Sequence, residues 1–305
     1  MVQVYFVSSD LVSKSSSSNR EASLLKAVEK RGISCKMVTW EDPEVIWSEC
    51  DLCIIRTPHD YFMYLPKFLK WTRKIEKHTT LWNPSNVIEW NSTKKYLIKL
   101  QEADVPVPPT IFIPHKSKAK LTELLKDVDW KELILKPANS AGAWGTKRCS
   151  RDSPDAQTHL DNLLINGYEH INVRNGSVWN LESGDALIQK FITEIMTEGE
   201  SSLIYFGGKY SHAVKKVPAL GDFRVHDTYG GQVHRYEASL DERRVAEMGL
   251  EALGMETQYA RIDTVLSKGG PLIIEMELIE PRMFFEYYPE TAESYVDHIE
   301  NYLKR

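Results

Sequence analysis

Three acidic side chains stand on two neighbouring segments near the C-terminal end of the sequence. Asp263 lies in an alternating stretch over residues 259–265, and Glu275 and Glu277 lie in a second stretch over residues 272–278. A Lys-Gly-Gly turn between them predicts a β-hairpin, in which residues two apart face the same side. The three carboxylates then repel one another unless a cation lies among them, and such oxygen ligands suit Mg²⁺ held with substrate phosphates. Solvent-facing acids on an exposed strand are the alternative.

A lysine at the end of a predicted strand gives a second signal. The strand covers residues 132–137 and contains Lys136, and a run of small residues with two glycines follows over residues 138–146. Glycine lets backbone N–H groups approach an anion closely, and lysine supplies positive charge for a polyphosphate. The run therefore predicts a phosphate-binding loop, with residues 141–146 as the candidate lid, whereas a hairpin turn with a structural lysine is the alternative. The expected contacts in the loop are Ser140, Ala141 and Gly142.

Polar positions follow the next strand. Residues 186–192 predict a strand that turns polar at Gln189, and its backbone offers the donor and acceptor that a purine edge needs. Acidic residues come soon afterwards, and a carboxylate here would accept hydrogen bonds from both ribose hydroxyls. Solvated acids are the alternative for these positions, which are Glu194, Glu198 and Glu200.

Basic side chains in two further regions of the sequence are candidate site residues. Lys216 and Arg224 flank a glycine-bearing loop and suit a transferring phosphate or a substrate carboxylate, with scattered surface charge as the alternative. Arg56 follows the third strand of the N-terminal region, where ligands bind in parallel sheets. It is a candidate bidentate clamp for a substrate carboxylate, and a surface ion pair is the alternative.

The N-terminal region supplies the elements that position Arg56. Predicted strands over residues 2–8, 34–39 and 51–56 alternate with helices, one of them over residues 65–75, and this alternation predicts a parallel, doubly wound α/β sheet. Ser18 and Glu21 form a predicted capping box. The serine run at Ser15–Ser18 lacks the glycines and lysine of a P-loop, so a flexible loop is favoured there. A helix with its cap at Asn91 or Ser92 bridges to the next module.

Composition excludes several classes of protein. The 305 residues are 27% charged and 42% hydrophobic, as in globular proteins, and no apolar run approaches the length of a membrane span. The net charge of -5 comes without a basic stripe, which argues against nucleic acid as a partner. No secretory signal is visible. The Cys50-x-x-Cys53 pair lacks further zinc ligands nearby, so buried thiols in a reducing cytoplasm are expected.

The order of these segments resembles the ATP-grasp superfamily, which includes glutathione synthetase and D-alanine–D-alanine ligase. Residues 259–263 and 275–281 are most similar to glutathione-synthetase-like carboxylate–amine ligases of the cycloserine-biosynthesis O-ureido-serine cyclo-ligase group. The resemblance implies an α/β chain in which two α+β lobes enclose ATP behind a Rossmann-like pre-ATP-grasp domain. The implied modules are the pre-ATP-grasp domain over residues 1–90, a bridging helix and linker over 91–110, a small ATP-binding lobe over 111–193 and a C-terminal lobe over 194–305.

The resemblance also implies a role for each candidate residue. Many members carry Asn where Glu277 stands, and Glu280 adds a further charge, so the number of metal ions is left open. Arg282 would offset this charge or touch substrate. The remaining roles are ATP phosphates for Lys95 (or Lys94) and Lys136; adenine for Gln189, Lys190, Phe191 and Ile192; ribose for Glu200 or Glu194; Mg²⁺, with Mn²⁺ as an option, for Asp263, Glu275 and Glu277; and catalytic charge for Lys216, Arg224 and Arg261.

The implied activity is ATP-dependent ligation of a carboxylate to an amine. ATP would convert the carboxylate into an acyl phosphate, and an amine or related nucleophile would attack it. The partners would be small-molecule carboxylates and amines, and a homo-oligomer is left open. Two alternatives are an ATP-grasp kinase or phosphotransferase and a nucleotide-binding protein without catalysis; the clustered acids argue against the latter, because binding alone does not need them.

Overall fold

The computed structural model describes residues 2–9, 20–171 and 176–304. The serine run at Ser15–Ser18, and with it the serine of the predicted capping box, lies outside these residues. No helix within the described ranges is both long enough and apolar enough to cross a membrane.

The first module is built on a four-stranded parallel sheet with the strand order β2-β1-β3-β4. Alternate side chains of β1 enter two different hydrophobic clusters, Val4 and Phe6 on one face and Tyr5 and Val7 on the other. Both faces are therefore covered, and the predicted doubly wound parallel sheet is confirmed. Its elements are β1 (Gln3–Ser8), α1 (Ala22–Lys30), β2 (Ser34–Thr39), β3 (Leu52–Thr57), α2 (Leu65–Ile75) and β4 (Thr80–Trp82).

Two short helices lead from this sheet to the small lobe. The predicted bridging helix is α4 (Tyr96–Glu102), which begins later than its expected cap at Asn91 or Ser92, because Asn91 ends a preceding helix, α3 (Ser85–Asn91), that was not predicted. The small lobe is an antiparallel sheet with the order β5-β10-β6-β7 and a separate hairpin, β8–β9. Its elements are β5 (Thr110–Ile113), α5 (Leu121–Leu124), β6 (Glu132–Pro137), β7 (Lys147–Ser150), α6 (Pro154–Asp161), β8 (Tyr168–Ile171), β9 (Val178–Leu181) and β10 (Ala186–Lys190).

The large lobe carries a five-stranded antiparallel sheet with the order β13-β12-β11-β14-β15. One long helix packs on β14 and β15, and the last helix packs on α1 of the first module. The elements are α7 (Ile195–Glu198), β11 (Glu200–Phe206), β12 (Lys209–Val217), β13 (Gln232–Tyr236), α8 (Leu240–Leu253), β14 (Tyr259–Ser267), β15 (Gly270–Glu277) and α9 (Pro289–Leu303).

Two shared cores join the three modules. One contains Leu97 of α4, Leu187 of the small lobe and Ile262 of the large lobe. The other contains Phe6 of the first module together with Tyr295 of α9. Burying a large apolar side chain contributes about 1.5–3 kcal/mol, so these contacts hold each of the three sheets against its neighbours and fix the edges at which they meet.

The two longest helices, α8 and α9, were not predicted. The sequence did contain a signal for α8, because Ser239 accepts a hydrogen bond from the backbone N–H of Glu242 while the Glu242 carboxylate accepts from the backbone N–H of Ser239. This Ser-x-x-Glu capping box precedes a periodic apolar stretch.

Candidate functional site

The predicted acidic cluster forms at the β14–β15 pair. In the antiparallel register Asp263 faces Glu275 and Arg261 faces Glu277, with a register shift directly after Asp263. One carboxylate oxygen from each of Asp263, Glu275 and Glu277 lies within 4.8 Å of the others. The hairpin thus brings together the three side chains that the sequence pattern singled out, and an all-oxygen set at this spacing is chemically suited to a divalent cation such as Mg²⁺.

Cations compensate part of the negative charge. Arg261 donates from Nε and Nη2 to the two oxygens of Asp263 at 2.9 and 2.8 Å, and it also pairs with Glu277. Lys216 lies 3.4 Å from Asp263. Burial would raise the pKa of Asp263, but Arg261 and Lys216 lower it below its ordinary value. Burial raises the pKa of Glu277 to about 8, despite Arg261. Burial therefore opposes the charged form of Glu277, whereas the neighbouring cations keep Asp263 ionised.

Two lysines approach the cluster from the bridge and the small lobe. The Lys94 ammonium lies 3.1 Å from Glu275 and donates to the carbonyl of Ser140 at 2.5 Å. Lys136 is buried on β6 and donates to the Gln189 side chain at 3.2 Å. Burial lowers the pKa of Lys136 to about 8. Both positive charges face a common cleft and are available to an anionic ligand.

The glycine-bearing loop covers this cleft. Its backbone turns at Gly142, Ala143 and Gly145, which have φ values of 58°, 61° and 70°. A Cβ atom on Gly145 would stand 2.7 Å from the ring of Tyr168 and 2.8 Å from Pro137, so no other residue fits there without displacement. The loop is therefore fixed close to the β6–β7 strands from which it arises.

A cleft between the two lobes, here called the inter-lobe cleft, encloses about 800 Å³ including its open mouth. Pocket volumes of about 300–1,000 Å³ are typical of small-molecule and cofactor sites. Apolar side chains from both lobes form much of its wall, with the lysines at one end. The predicted nucleotide contacts that line it are Lys136, Ser140, Gly142, Gln189, Lys190, Phe191, Ile192 and Glu200, joined by Lys94, Arg224 and Glu275.

Part of the adenine prediction needs correction. The backbone N–H groups of Lys190 and Phe191 donate to the carbonyls of Pro109 and Glu132 at 2.9 and 3.1 Å. The Gln189 amide is likewise held, because it donates to Thr110 at 2.9 Å while its oxygen accepts from Lys136. These donors already have partners, whereas the contacts predicted through the backbone N–H of Ile192 and through the carbonyl groups of this segment stay predictions.

The two candidate ribose carboxylates differ in position. Glu200 lines the inter-lobe cleft, pairs with Lys216, and burial raises its pKa to about 7. Glu194 does not belong to the described lining, and its carboxylate accepts a hydrogen bond from Thr193 at 3.1 Å. The geometry therefore favours Glu200 over Glu194.

The phosphate-binding role predicted for Lys95 (or Lys94) fits Lys94 better. Its side chain is exposed and its ammonium lies 4.8 Å above the ring of Phe112, whereas Lys94 lines the cleft. Because α4 begins immediately afterwards, successive side chains at this point diverge around the helix axis. One residue in the pair Lys94–Lys95 therefore faces the cleft and the other faces solvent.

Arg224 reaches the inter-lobe cleft but is engaged by its own loop. Its guanidinium donates to Asp222, with the closest contact at 2.7 Å, and lies 3.7 Å from the centre of the Tyr229 ring. The Arg224 side chain is therefore held in position beside the cleft, and Asp222 already balances part of its charge.

A second cleft, here called the three-module cleft, lies where the first module meets both lobes and encloses about 980 Å³ including its mouth. Arg261, Arg282 and Lys216 line it, as predicted for catalytic or substrate-facing cations, and so does Ala141, which does not line the inter-lobe cleft. The first module contributes Arg20, His59 and Phe62, and the acidic residues of the wall are Asp227, Glu277 and Glu280.

Arg56 does not belong to either cleft, and both interpretations of it need correction. The residue is 1% exposed, and its guanidinium donates twice to the Glu21 carboxylate at 3.0 and 2.9 Å. The pair is thus buried, so it is neither a surface ion pair nor accessible to a substrate carboxylate in this structure. Its charge is satisfied inside the first module.

Three residues of the clefts were missed by sequence reasoning. His226 lines both clefts, and burial lowers its pKa to about 4. Trp144 projects from the covering loop, stacks on His170 with 4.1 Å between the ring centres and meets Phe62 edge-on at 5.4 Å. His59 pairs with Glu280 across the module boundary. For Trp144 the glycine loop itself was a usable signal, but no local pattern marked His59.

Comparisons with known proteins agree with this geometry. The family described as D-cycloserine synthetase DcsG, N-terminal domain, matches residues 4–83. The cycloserine biosynthesis protein DcsG of Streptomyces lavendulae is 28% identical over 293 residues, which cover 92% of this chain and 93% of that protein. The crystal structure of D-cycloserine synthetase DcsG has a TM-score of 0.83 at 25% identity, with 99% of each chain covered. D-alanine–D-alanine ligase from Bacillus anthracis, complexed with ATP, has a TM-score of 0.70 at 14% identity, with 99% of this chain and 97% of that one covered.

Two lobes that enclose a cleft with lysines and paired carboxylates, behind a parallel α/β module, define the ATP-grasp fold, and the chain shares this fold with the solved structures. The chain is an ATP-dependent ligase that is similar along nearly its whole length to DcsG.

Proposed function

We propose that the protein uses ATP and Mg²⁺ to activate a small carboxylate as an acyl phosphate and then joins the acyl group to a nitrogen nucleophile. One observation carries this proposal: the acidic cluster lies where the two clefts meet. Glu275 lines the inter-lobe cleft and Glu277 lines the three-module cleft, while Gly142, Val225 and His226 line both. A phosphoryl group on a nucleotide in one cleft would therefore face an acid in the other.

The inter-lobe cleft supports ATP as the phosphoryl donor. Its apolar residues, among them Ile134, Phe191 and Phe223, suit a purine ring, and Lys94 and Lys136 suit its phosphates. A lysine ammonium is a compact charge that binds phosphate as a point donor. The cleft thus combines an apolar end and a cationic end in the order that a nucleotide requires.

The acidic cluster supports a divalent cation. Asp263, Glu275 and Glu277 would hold it, because one carboxylate oxygen from each lies within 4.8 Å of the others. When bound, Mg²⁺ would neutralise charge on the phosphate groups during phosphoryl transfer. Arg261 and Lys216 keep Asp263 ionised and oriented in the meantime.

The reaction balances in two steps. A carboxylate oxygen forms a bond to the γ-phosphorus of ATP while the bond to the β–γ bridging oxygen breaks, giving acyl phosphate and ADP. The nucleophilic nitrogen then forms a bond to the acyl carbon, the C–O bond to phosphate breaks, and the nitrogen loses a proton. Lys216 and Arg261 line the three-module cleft and would stabilise the negative charge that develops on phosphate and acyl oxygens.

The covering loop, residues 138–146, supports protection of the acyl phosphate from water. Lys94 donates to the Ser140 carbonyl, and the Tyr229 hydroxyl donates to the Gly142 carbonyl at 3.4 Å, so both the bridge and the large lobe hold the loop over the junction of the clefts. Water exclusion is the general function of such loops in enzymes with hydrolysable intermediates.

A substrate screen tests the proposal. Pairs of small carboxylates and amines, and single molecules that contain both groups, are incubated with enzyme, ATP and Mg²⁺, and ADP release is measured together with the mass of the products. The expected result is acid-dependent ADP release with a condensed product in stoichiometric amount. Phosphorylated acid as the final product would replace ligation by phosphotransfer, and ATP binding without any turnover would contradict the proposal.

We also propose a reducing, cytoplasmic environment. The four cysteines are free thiols, and Cys50, Cys53 and Cys149 are buried. Burial raises the pKa of all three thiols, which keeps them protonated and unreactive. Growth of a thiol-specific mass adduct only after unfolding would support this assignment.

A further inference from the structure

A further pocket, which the proposed reaction does not use, lies beside the covering loop. This outer pocket encloses about 1260 Å³ including its open mouth, and small-lobe and large-lobe residues line it, among them Thr146, Lys147, His170, Asn180, Arg224 and Tyr229. Ala143 and Thr146 of the covering loop line both the outer pocket and the inter-lobe cleft. A ligand in the outer pocket would therefore contact the same loop that a nucleotide contacts from the inter-lobe cleft.

Two basic side chains line the outer pocket from different lobes. Lys147 begins β7 in the small lobe, and its ammonium lies 4.0 Å from Asp155, whose side chain is 80% exposed. An exposed ion pair at that distance contributes little, so the charge of Lys147 is available to an anion. Arg224 comes from the large lobe, and Asp222 balances part of its charge. Glu169 is the one acidic residue of the described wall.

Two histidines of the wall lie close enough to these cations for their pKa values to respond. Burial lowers the pKa of His170, and Arg224 lowers it further. Burial also lowers the pKa of His159, and Lys147 acts in the same direction, although His159 donates a hydrogen bond to the Gly145 carbonyl at 2.9 Å, which opposes the change. At each imidazole the neighbouring charge is thus positive, and an anionic ligand would be favoured there.

Side-chain amides supply the neutral hydrogen-bonding groups of the outer pocket. Asn162, Asn166 and Asn180 all line it, and Asn166 donates to the oxygen of Asn162 at 3.1 Å. Because each amide carries two donor hydrogens and an acceptor oxygen, the set can bind hydroxyl groups as well as anionic oxygens. A lysine and an arginine are the side chains that proteins use for phosphate. The wall is therefore complementary to phosphate and to small, hydroxylated phosphate esters.

We propose that the outer pocket binds a small phosphate-bearing anion and that the bound anion holds the covering loop in its closed position. The loop is tied to the large lobe by a long hydrogen bond from the Tyr229 hydroxyl to the Gly142 carbonyl at 3.4 Å. A ligand that contacts Lys147 and Arg224 together binds the arrangement in which both lobes line the pocket, and by linkage it stabilises that arrangement. The site is separate from the residues that carry out the proposed reaction, except that Arg224 belongs to both.

Calorimetry tests binding while the inter-lobe cleft is occupied. Enzyme saturated with Mg²⁺ and the imido analogue of ATP is titrated with inorganic phosphate and with glycerol phosphate at constant ionic strength, because salt screens such contacts. We expect saturable binding of at least one probe at a single site. Lys147→Gln should weaken this binding by roughly three- to tenfold, and Glu169→Gln should strengthen it by about twofold. The two effects have opposite signs because the two side chains carry opposite charges.

Hydrogen exchange tests the effect on the loop. The bound probe should slow amide exchange in residues 141–146 by about twofold or more in the wild type, and much less in Lys147→Gln at the same probe concentration. Lys126→Gln is the matched control, because Lys126 is an exposed lysine of the same lobe outside the described lining. This control should bind and protect as the wild type does. Arg224 is left unchanged, since it also lines the inter-lobe cleft.

The two probes also separate two sources of the anion. Tighter binding of inorganic phosphate would assign the outer pocket to the product of ATP cleavage, whereas tighter binding of glycerol phosphate would assign it to a phosphorylated metabolite; either result supports the site. Three results would overturn the proposal: no saturable binding while the ATP analogue is bound, equal affinities in the wild type and Lys147→Gln, and binding that leaves exchange in the covering loop unchanged.

Discussion

The two clefts of this protein differ in how they are assembled. The inter-lobe cleft has apolar walls and two lysines that end near the acidic hairpin, and most of its residues come from segments that are continuous in sequence, such as residues 136–146 and 189–192. The three-module cleft is walled by charged side chains, most of them in ion pairs, from Arg20, His59, Asp227, Glu277, Glu280 and Arg282. The inter-lobe cleft forms where the bridge and the two lobes meet, whereas the three-module cleft also needs the first module.

This difference separates ATP binding, which all such ligases share, from the recognition of a particular acid. Any ATP-dependent ligase needs a cationic end for phosphates, and a strand, a lysine and a glycine loop provide it with few long-range contacts. Recognition of an acid depends instead on how the packing of different modules positions individual charged side chains. Changes in the inter-lobe cleft should therefore alter all reactions of ATP, whereas changes in the three-module cleft should alter the choice of acid.

The largest effect is expected at the junction of the clefts. Glu275→Gln removes a carboxylate of the acidic cluster while keeping the shape of the side chain, and we expect ATP turnover to fall by roughly 10²- to 10³-fold. Turnover is measured as ADP release with the preferred acid. The residue is only partly buried, so the variant should unfold at a denaturant concentration close to that of the wild type.

Asp263→Asn makes the same test at a buried position. It leaves Arg261 and Lys216 facing a neutral amide, so both turnover and stability should decrease, and breaking a buried pair typically costs about 3–5 kcal/mol. Normal turnover in both variants would contradict the assignment of the acidic cluster to a metal-assisted reaction.

Much of the fold and of the inter-lobe cleft was predictable because local rules govern them. The parallel first sheet followed from strand–helix alternation, and the convergence of Asp263, Glu275 and Glu277 followed from the two-residue period of a hairpin. Lys94 and Lys95 were harder to separate, since the choice between adjacent residues depends on the angle at which α4 begins. The break between α3 and α4 sets that angle; Asn91 and Ser92 indicated a helix boundary there, but not the direction in which α4 begins.

The three-module cleft was not predictable for a physical reason. His59 follows β3 and Glu280 follows β15, so their contact spans 221 residues and depends on the packing of α9 and the large sheet against the first module. For Arg56, in contrast, a local pattern predicted a ligand site that the structure does not contain. Its place after β3 suggested a ligand site, but the side chain turned inward to Glu21, which lies just before α1.

The next prediction concerns the charge of Lys136 in the inter-lobe cleft. Burial lowers the pKa of Lys136 to about 8, so the ammonium is present below this pH and is lost above it. Without metal, loss of this charge should weaken ADP affinity above pH 8 by up to about tenfold per pH unit until the pKa of the bound state is reached, in addition to the smaller effect of Glu200 and Glu277, which gain negative charge as the pH rises. Lys136→Ala should weaken binding by roughly 10- to 100-fold at pH 7.

Lys136→Arg is the control for this titration, because arginine stays charged throughout the range. Calorimetric titration should give this variant an ADP affinity that weakens less steeply above pH 8 than that of the wild type, because only the titration of Glu200 and Glu277 is then left. If Lys136→Arg weakened with the same slope as the wild type, another group would be responsible and the phosphate role of Lys136 would lose its support.

A smaller effect is expected where the covering loop meets the first module. Trp144→Ala removes the contacts with Phe62 and His170, and aromatic pairs are worth about 0.5–1.5 kcal/mol. We expect the ratio of ADP released to product formed to increase by roughly two- to tenfold, since a loosened loop admits water to the acyl phosphate. Trp144→Phe should keep the ratio near that of the wild type; an unchanged ratio in Trp144→Ala would show that the loop closes without this contact.

The smallest effect is expected at Lys95, and its neighbour provides the contrast. Lys95→Ala removes an exposed charge 4.8 Å from the Phe112 ring, which should change stability by about 0.5–1 kcal/mol and nucleotide affinity by less than about twofold. Lys94→Ala removes the partner of Glu275 and of the Ser140 carbonyl, and ADP affinity should fall by about tenfold or more. Calorimetry on the two variants side by side decides which lysine serves the phosphates, and equal losses at both positions would contradict the orientation of α4 on which the comparison of the clefts depends.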